Sequence, residues 1–136
     1  MINKPPKLLV IKSEISELKK VENFIIEIFK EYDLKKKYFN KIYVCVSEAV
    51  LNSIKHGNKN DINKTVSIGI YCDAKELKVL IEDEGEGFDI NKVKDPTLEE
   101  NLRNESGRGI FIIKNLSDKL EYKGKGNRIQ FKIKCQ

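Results

Sequence analysis

The amino-acid sequence predicts an α+β fold, a two-layer α/β sandwich with helices on one face of a mostly antiparallel mixed sheet. Two observations lead to this class. Short apolar runs with the two-residue repeat of strands gather beside segments with the three- and four-residue repeat of helices, and the two kinds of element do not alternate regularly along the chain. Because 136 residues suffice for one hydrophobic core, we expect a single domain over residues 1–136.

The first half of the chain supplies one strand and two helices. Residues Lys7–Lys12 form a short apolar run that suits a strand, and Ser13 then provides a helix start. The second helix is predicted over residues 36–56, and Gly57 with Asn58 ends it. The first helix buries one face, whose apolar residues are Ile15, Leu18, Val21, Ile25, Ile28 and Phe29.

The second half supplies four strands and a third helix. Thr65–Cys72 and Glu76–Asp83 are separated by three turn residues and predict a β-hairpin. A helix over Gly107–Asp118 is followed by strands at 119–123 and 127–134. Strands gathered in this way beside three helices indicate one sheet covered on one face.

The composition describes a soluble globular chain, with 35% charged and 40% hydrophobic residues. No stretch resembles a bilayer span or a secretory signal, so we expect a cytoplasmic protein with no membrane partner. Lysines are mixed with glutamates despite the net charge of +5. We therefore expect no direct nucleic-acid partner, although a basic nucleic-acid-binding domain is a minor alternative. Cys45, Cys72 and Cys135 form no CxxC pair, which predicts reduced, mostly buried thiols.

The first candidate motif lies on the predicted second helix. Glu48, Asn52 and His56 follow one another at four-residue intervals on one row of that helix. Such a row is often the polar flank of an amphipathic helix. Here apolar neighbours spread around much of the circumference, so a carboxylate would be partly desolvated. A glutamate acting as a general base, or an amide oxygen ligating a hard divalent cation, would justify that burial.

The second motif is the acidic glycine turn at residues 81–89, where Asp83, Gly85 and Gly87 stand at alternate positions. Such a turn can be a simple hairpin tip, and its spacing does not fit an EF-hand. Glycine lets a backbone approach a ligand closely, and an adjacent aspartate can accept a hydrogen bond from an exocyclic amine. The turn is therefore a candidate for reading a purine.

The third motif, Ser106 to Ile110 (SGRGI), opens the predicted third helix. A helix N-terminus offers unpaired N–H groups and the positive end of the dipole, which suit a phosphate, and Arg108 adds charge. A capped helix start accounts for a GxG pair as well. The spacing fits neither a Walker P-loop nor a Rossmann fingerprint.

The three motifs in this order predict a nucleotide site. Between the second and third motifs runs the polar segment 88–106, which contains Pro96 and has weak periodicity. So long a loop in so small a domain is either functional or disordered. As a functional loop it would be a lid over the nucleotide.

These motifs are similar to the signature boxes of the GHKL ATPase superfamily, whose nucleotide pocket is the Bergerat ATP-binding fold. The residues that carry the resemblance are Glu48, Asn52, His56 and Gly57 for the N box, Asp83, Gly85 and Gly87 for the first glycine box, and Gly107 and Gly109 for the second. Within the superfamily, the segments SEAVLN, EDEGEGFD and SGRGIFII most resemble the small serine/threonine protein kinases that act as anti-sigma regulatory factors in bacteria.

The resemblance implies a protein kinase that uses ATP and Mg²⁺. Glu48 would be the general base, Asn52 would bind Mg²⁺, and Asp83 would recognise adenine. His56 would be structural at the helix end. The other nucleotide-binding residues would be Gly85, Gly87, Gly107 and Gly109, with Arg108 near the phosphates.

The resemblance also implies the partners. These are a small anti-sigma factor antagonist that receives the phosphate on a serine or threonine, a sigma factor that the chain sequesters, and a second copy in a homodimer. In some relatives an arginine ahead of the Ser-Gly pair reaches the terminal phosphate, whereas Glu105 stands here, and Arg108 or Arg103 would substitute. The alternative is a catalytically weak, nucleotide-gated partner-binding module. Glu48 favours the enzyme, and Glu105 favours the module.

Overall fold

A computed structural model of the chain describes residues 6–85, 105–124 and 127–135. Most of the segment 88–106, interpreted above as a lid, lies outside these residues, and so do Gly87 and Arg103. The predictions made for them therefore have no structural counterpart. The remaining site residues all lie on described elements.

The structure contains five strands and three helices in the described residues. The strands are β1 (Lys7–Lys12), β2 (Thr65–Asp73), β3 (Glu76–Asp83), β4 (Lys119–Lys123) and β5 (Arg128–Lys134), and the helices are α1 (Leu18–Glu31), α2 (Phe39–Asn52) and α3 (Glu105–Leu116). Two 3₁₀ turns, Ile15–Glu17 and Lys36–Tyr38, precede α1 and α2, and a π-helical turn, Ser53–Gly57, follows α2.

The strands form one sheet in the order β1-β2-β3-β5-β4, and each of the four pairings is antiparallel. Alternate residues of β2 and β3 are buried, as expected where one sheet face packs on helices. The predicted α+β sandwich is confirmed, with antiparallel pairs in place of the expected mixed sheet. The core is apolar throughout and includes Ile25, Ile42, Val46, Val50, Ile68, Ile70, Val79, Ile81, Phe131 and Ile133.

The helix predicted over residues 36–56 is divided into three parts. Only Phe39–Asn52 is α-helical, and the chain then widens into the π turn, where the Asn58 N–H donates to the Ser53 carbonyl five residues back, at 2.7 Å. π turns of this kind are rare and frequently occur at functional sites. The first helix also differs from its prediction: Ile15 is 54% exposed because it lies in the preceding 3₁₀ turn.

The strand register brings the polar ends of four strands together at one end of the sheet. Lys12 pairs with Thr65, Val66 with Asp83, and Glu82 with Arg128. Four strand ends therefore lie at the same end of the sheet: the end of β1, the start of β2, the end of β3 and the start of β5. The π turn after α2 packs against this end of the sheet through its contacts with β3.

All three cysteines are free thiols, with Cys45 and Cys135 buried and Cys72 half-buried, as predicted. Burial raises the pKa of Cys45 and of Cys135 to about 11. Among the described helices, none is both long enough and apolar enough to cross a bilayer.

Candidate functional site

Asp83, the last residue of β3, is an acidic side chain that is only 7% exposed. Its Oδ1 accepts a hydrogen bond of 2.8 Å from the Gly85 N–H, and the Ser53 side chain also hydrogen-bonds to the carboxyl group. Burial raises the pKa of Asp83 more than these two hydrogen bonds lower it. The carboxylate is therefore held in place but incompletely compensated, which suits a group that receives a further donor from a ligand.

Two glycines allow the π turn and the end of β3 to approach this carboxylate. A Cβ on Gly57 would overlap the Asp83 carboxylate, and a Cβ on Gly85 would overlap the Gly57 carbonyl. Glycine is required at both positions for steric reasons. Gly57 of the N box thus forms one compact unit with Asp83 and Gly85 of the acidic turn, although Gly57 and Asp83 are 26 positions apart in the sequence.

The backbone of Asp83 is held from the side of β5. The Asp83 N–H donates to the Asn127 carbonyl at 3.0 Å, and Asn127 Nδ2 donates to the Asp83 carbonyl at 3.0 Å. The residue is thus restrained through its main chain on one side and through its carboxylate on the other.

Glu48 lies near the middle of α2, half-buried beneath the start of α3. A Cβ on Gly109 would stand 3.0 Å from Glu48 Oε2 and 3.9 Å from Glu48 Cβ. The second glycine pair therefore lets α3 pack directly over this carboxylate. The structure brings the first and third sequence motifs into contact at Glu48 and the first and second into contact at Gly57.

Asn52 is the last residue of α2, one turn after Glu48. Its Oδ1 is buried and has no hydrogen-bond partner among the residues that the structure describes. An unsatisfied buried amide oxygen is costly unless a donor or a cation binds it, and carboxamide oxygens are good ligands for hard divalent cations. The side chain therefore fits the Mg²⁺-binding role that the resemblance implies.

The other predicted residues occupy different positions. Helix α3 begins at Glu105, two residues before the predicted start, so Gly107 and Arg108 lie within its first turn. Arg108 is exposed. His56 lies in the π turn and is exposed. The phosphate-binding roles of Gly107, Arg108 and Gly109 and the structural role of His56 remain predictions.

Sequence analysis missed three polar residues around Asp83. Ser53 lies within the predicted second helix, Asn58 at its predicted end, and Asn127 at the start of a predicted strand. The structure places Ser53 and Asn127 in hydrogen-bond contact with Asp83, and Asn58 bonds to the next residue, Glu84. The Gly57-Asn58 pair was the sequence feature that could have indicated this position, but the same pair is typical of a helix end.

Comparison with known proteins gives the family of the chain. Residues 11–133 match the family described as the histidine kinase-like ATPase domain. An anti-sigma F factor of Oceanobacillus iheyensis is 39% identical over 83 residues, which cover 60% of this chain and 57% of that protein. A serine-protein kinase RsbW of Staphylococcus aureus is 36% identical over 92 residues, which cover 61% and 57% of the two chains.

A solved Mycobacterium tuberculosis structure of RsbU and RsbW domains has the same fold. The superposition has a TM-score of 0.65 at 14% identity and covers 96% of this chain and 32% of that one. The family match over residues 11–133 shows that the chain belongs to the histidine kinase-like ATPase domain family. More particularly, it is similar to the RsbW kinases and anti-sigma F factors of that family, and the matches span about half the length of these relatives.

We expect Gly57→Ala to lower the free energy of unfolding by about 1–3 kcal/mol, because the added methyl group overlaps the Asp83 carboxylate. Urea unfolding followed by circular dichroism measures the change. Gly69→Ala is the matched control, since its nearest contact is the flexible Leu8 side chain at 3.2 Å. Equal losses in the two variants would contradict the steric argument.

We expect the stability difference between the wild type and Asp83→Asn to depend on pH. Because the pKa of Asp83 is higher in the folded than in the unfolded chain, the wild type loses stability as pH rises through that range. The asparagine variant lacks this loss, so its stability relative to the wild type increases from acidic to neutral pH. Urea unfolding at several pH values tests this, with the exposed Asp73→Asn as control. A pH-independent difference would contradict it.

Proposed function

We propose that the chain binds ATP along helix α2, with adenine at Asp83 and the phosphates near Glu48. The main support for this proposal is the buried Asp83 carboxylate, which is held by hydrogen bonds from Gly85 and Ser53. Its oxygens can accept a further hydrogen bond from the 6-amino group of adenine. Along α2, residues 48 and 52 are about 6 Å apart at 1.5 Å per residue, and the π turn Ser53–Gly57 extends this separation towards Asp83. Adenine at Asp83 and phosphates near Glu48 would therefore occupy opposite ends of one elongated site, and family membership supports the same interpretation.

Asn52 lies between the two ends of this site and would hold Mg²⁺ through its buried Oδ1, which bonds to none of the residues described in the structure. The cation, when bound, neutralises charge on the phosphates. Arg108, exposed in the first turn of α3, would add a positive charge near them. The N-terminal N–H groups of α3 would be further donors to a phosphate oxygen.

We propose further that the chain is a serine/threonine protein kinase. Glu48 would accept the proton of a substrate hydroxyl as its oxygen forms a bond to the γ-phosphorus, while the bond from that phosphorus to the β–γ bridging oxygen breaks and ADP leaves. The half-buried position of Glu48 under Gly109 holds its carboxylate near the proposed phosphate end. Apart from Glu48, the groups named above only position ATP and neutralise charge.

The proposed partners follow from the relatives. One is an anti-sigma factor and another a serine-protein kinase, so we propose that this chain phosphorylates a small anti-sigma factor antagonist and sequesters a sigma factor. Both partners place its action in the cytoplasm.

We expect Glu48→Gln to reduce phosphate transfer to a purified antagonist by about 100-fold or more, because general bases contribute factors of this order. ATP affinity should change little, since glutamine keeps the shape of the side chain. Transfer from γ-labelled ATP with Mg²⁺ and calorimetric titration of ATP measure the two quantities. Glu27→Gln, on the exposed face of α1, is the matched control.

Each result of that assay has one meaning. Transfer that is unaffected by Glu48→Gln contradicts the general-base role. A wild type that binds ATP but transfers nothing supports the nucleotide-gated module instead. In a separate titration with duplex DNA, a wild type that binds DNA in a salt-dependent manner and binds no ATP would support the basic nucleic-acid-binding domain.

We also propose that two copies form a homodimer through the open face of the sheet at strand β1. Leu8 and Val10 are 71% and 60% exposed on this edge strand, and their neighbours Gly69 and Ser67 are too small to cover them. Exposed apolar side chains grouped on a sheet face mark a surface that another protein covers. In a two-fold dimer, Leu8 and Val10 of one copy would pack against the same residues of the other copy.

We expect Leu8→Lys combined with Val10→Lys to convert the dimer into a monomer, because like charges would face each other across the two-fold axis. Sedimentation velocity measures the mass in solution. Ile62→Lys is the control, since Ile62 is 50% exposed but lies in the segment between the π turn and β2. A monomeric wild type, or a double variant that stays dimeric, would overturn this interface.

A further inference from the structure

Asn58, the residue after the π turn, joins three strand ends. It is 1% exposed. Its Nδ2 donates to Ser13 Oγ at 2.8 Å and to the Thr65 carbonyl at 2.9 Å, and its Oδ1 accepts from the Glu84 N–H at 2.8 Å. We call these four residues the Asn58 network. It connects the end of α2 to the end of β1, the start of β2 and the end of β3.

The Asn58 network holds Asp83 from two directions. Glu84 N is part of the peptide bond that follows Asp83, so the bond to Asn58 Oδ1 restrains the main chain beside the carboxylate. The Asn58 N–H donates to the Ser53 carbonyl at 2.7 Å, and Ser53 in turn hydrogen-bonds to Asp83 through its side chain. A shift of Asn58 would therefore move both the backbone of Asp83 and one of its carboxylate donors.

Further hydrogen bonds tie the network to the residues at the same end of the sheet. Ser13 Oγ donates to the Lys64 carbonyl at 2.8 Å. The Glu84 carboxylate accepts from the Thr65 N–H at 2.5 Å and from Thr65 Oγ1 at 3.1 Å. Glu84 is thus bonded to Asn58 through its main chain and to Thr65 through its side chain, which leaves little freedom for the turn that begins at Asp83.

Only an amide side chain of this length satisfies the position. It supplies two N–H donors and one acceptor at once, whereas aspartate has no donor and serine is too short to reach all three groups. Because Asn58 is buried, a backbone or side-chain group that loses its hydrogen bond to the amide is costly to leave unsatisfied. The restraint is therefore stiff.

We propose that Asn58 is a positioning residue for base selection: it holds Asp83 so that the carboxylate accepts a hydrogen bond from the 6-amino group of adenine and disfavours bases that lack this amine. The inference rests on the proposed function, in which Asp83 binds the adenine of ATP. Asn58 does not touch the base itself. It acts through Glu84 on the main chain and through Ser53 on the carboxylate.

The test compares the affinities for ATP and inosine triphosphate, which has an oxygen in place of the 6-amino group. A hydrogen bond to a charged group contributes enough to give the wild type about a ten- to hundredfold preference for ATP. In Asn58→Ser and Asn58→Ala we expect that preference to fall by about tenfold, while the affinity for inosine triphosphate changes little. Calorimetric titration of the full chain measures both affinities.

The ratio of the two affinities separates positioning from simple destabilisation. A smaller folded fraction weakens binding of both nucleotides by the same factor and leaves their ratio unchanged. Ser13→Ala is the matched control: it removes one bond of the Asn58 network but keeps the contacts of Asn58 to Glu84 and Ser53. It should lower stability and leave the preference for ATP intact.

Asn58→Ser is the primary variant because its hydroxyl and a water molecule can fill the space of the amide. Should Asn58→Ala not fold, Asn58→Ser decides the question alone. Should neither fold, Glu84→Pro removes, at an exposed residue, the N–H that donates to Asn58 Oδ1, and an unchanged ATP preference in that variant overturns the proposal.

An unchanged preference in the Asn58 variants overturns the positioning role and leaves the proposed function standing. A wild type that does not distinguish the two nucleotides, or binds neither, overturns the adenine-reading role of Asp83 and the inference with it. A reduced preference in the Asn58 variants together with an intact preference in Ser13→Ala supports the inference.

Discussion

The close contact between the end of helix α2 and the end of strand β3 is the constraint on which the rest of the site depends. Gly57 and Gly85 approach each other and Asp83 so closely that neither position has room for a Cβ. The carboxylate is buried by this contact, which raises its pKa, and it keeps hydrogen bonds to Gly85 and Ser53. A buried, oriented acceptor is useful for recognition because few ligand groups can satisfy it.

Close packing at a glycine also determines the geometry nearer the middle of α2. Gly109 brings helix α3 against Glu48. The proposed phosphate end therefore lies at Glu48 and the proposed base-recognition end at Asp83. Asn52 lies between them, and its amide oxygen has no hydrogen-bond partner within the described part of the chain. Gly57, Gly85 and Gly109 differ in their contacts but share one effect. Each removes a side chain where two elements must meet over a carboxylate.

Much of the architecture was predictable from the sequence. The bounds of β1, β3 and β4 are confirmed as predicted, because runs of alternating apolar residues bounded by turn residues are local signals. The helix at 36–56 was wrong in its details, since the π turn at Ser53–Gly57 arises where the chain accommodates the contact with β3. Periodicity cannot reveal such a turn, because the hydrogen bond that defines it has no side-chain signature.

The sequence by itself determined the fold class and the three glycine-bearing motifs, and it led to the prediction of Glu48, Asn52 and Asp83 as site residues, since these depend on local periodicity and on motif spacing. Only the tertiary structure decided that Ser53, Asn58 and Asn127 surround Asp83. Their roles depend on which strand ends meet at one end of the sheet. The antiparallel register of segments that are distant in the sequence decides which ends these are. A polar residue near a turn has no local feature that tells a helix stop from a buried hydrogen-bond centre.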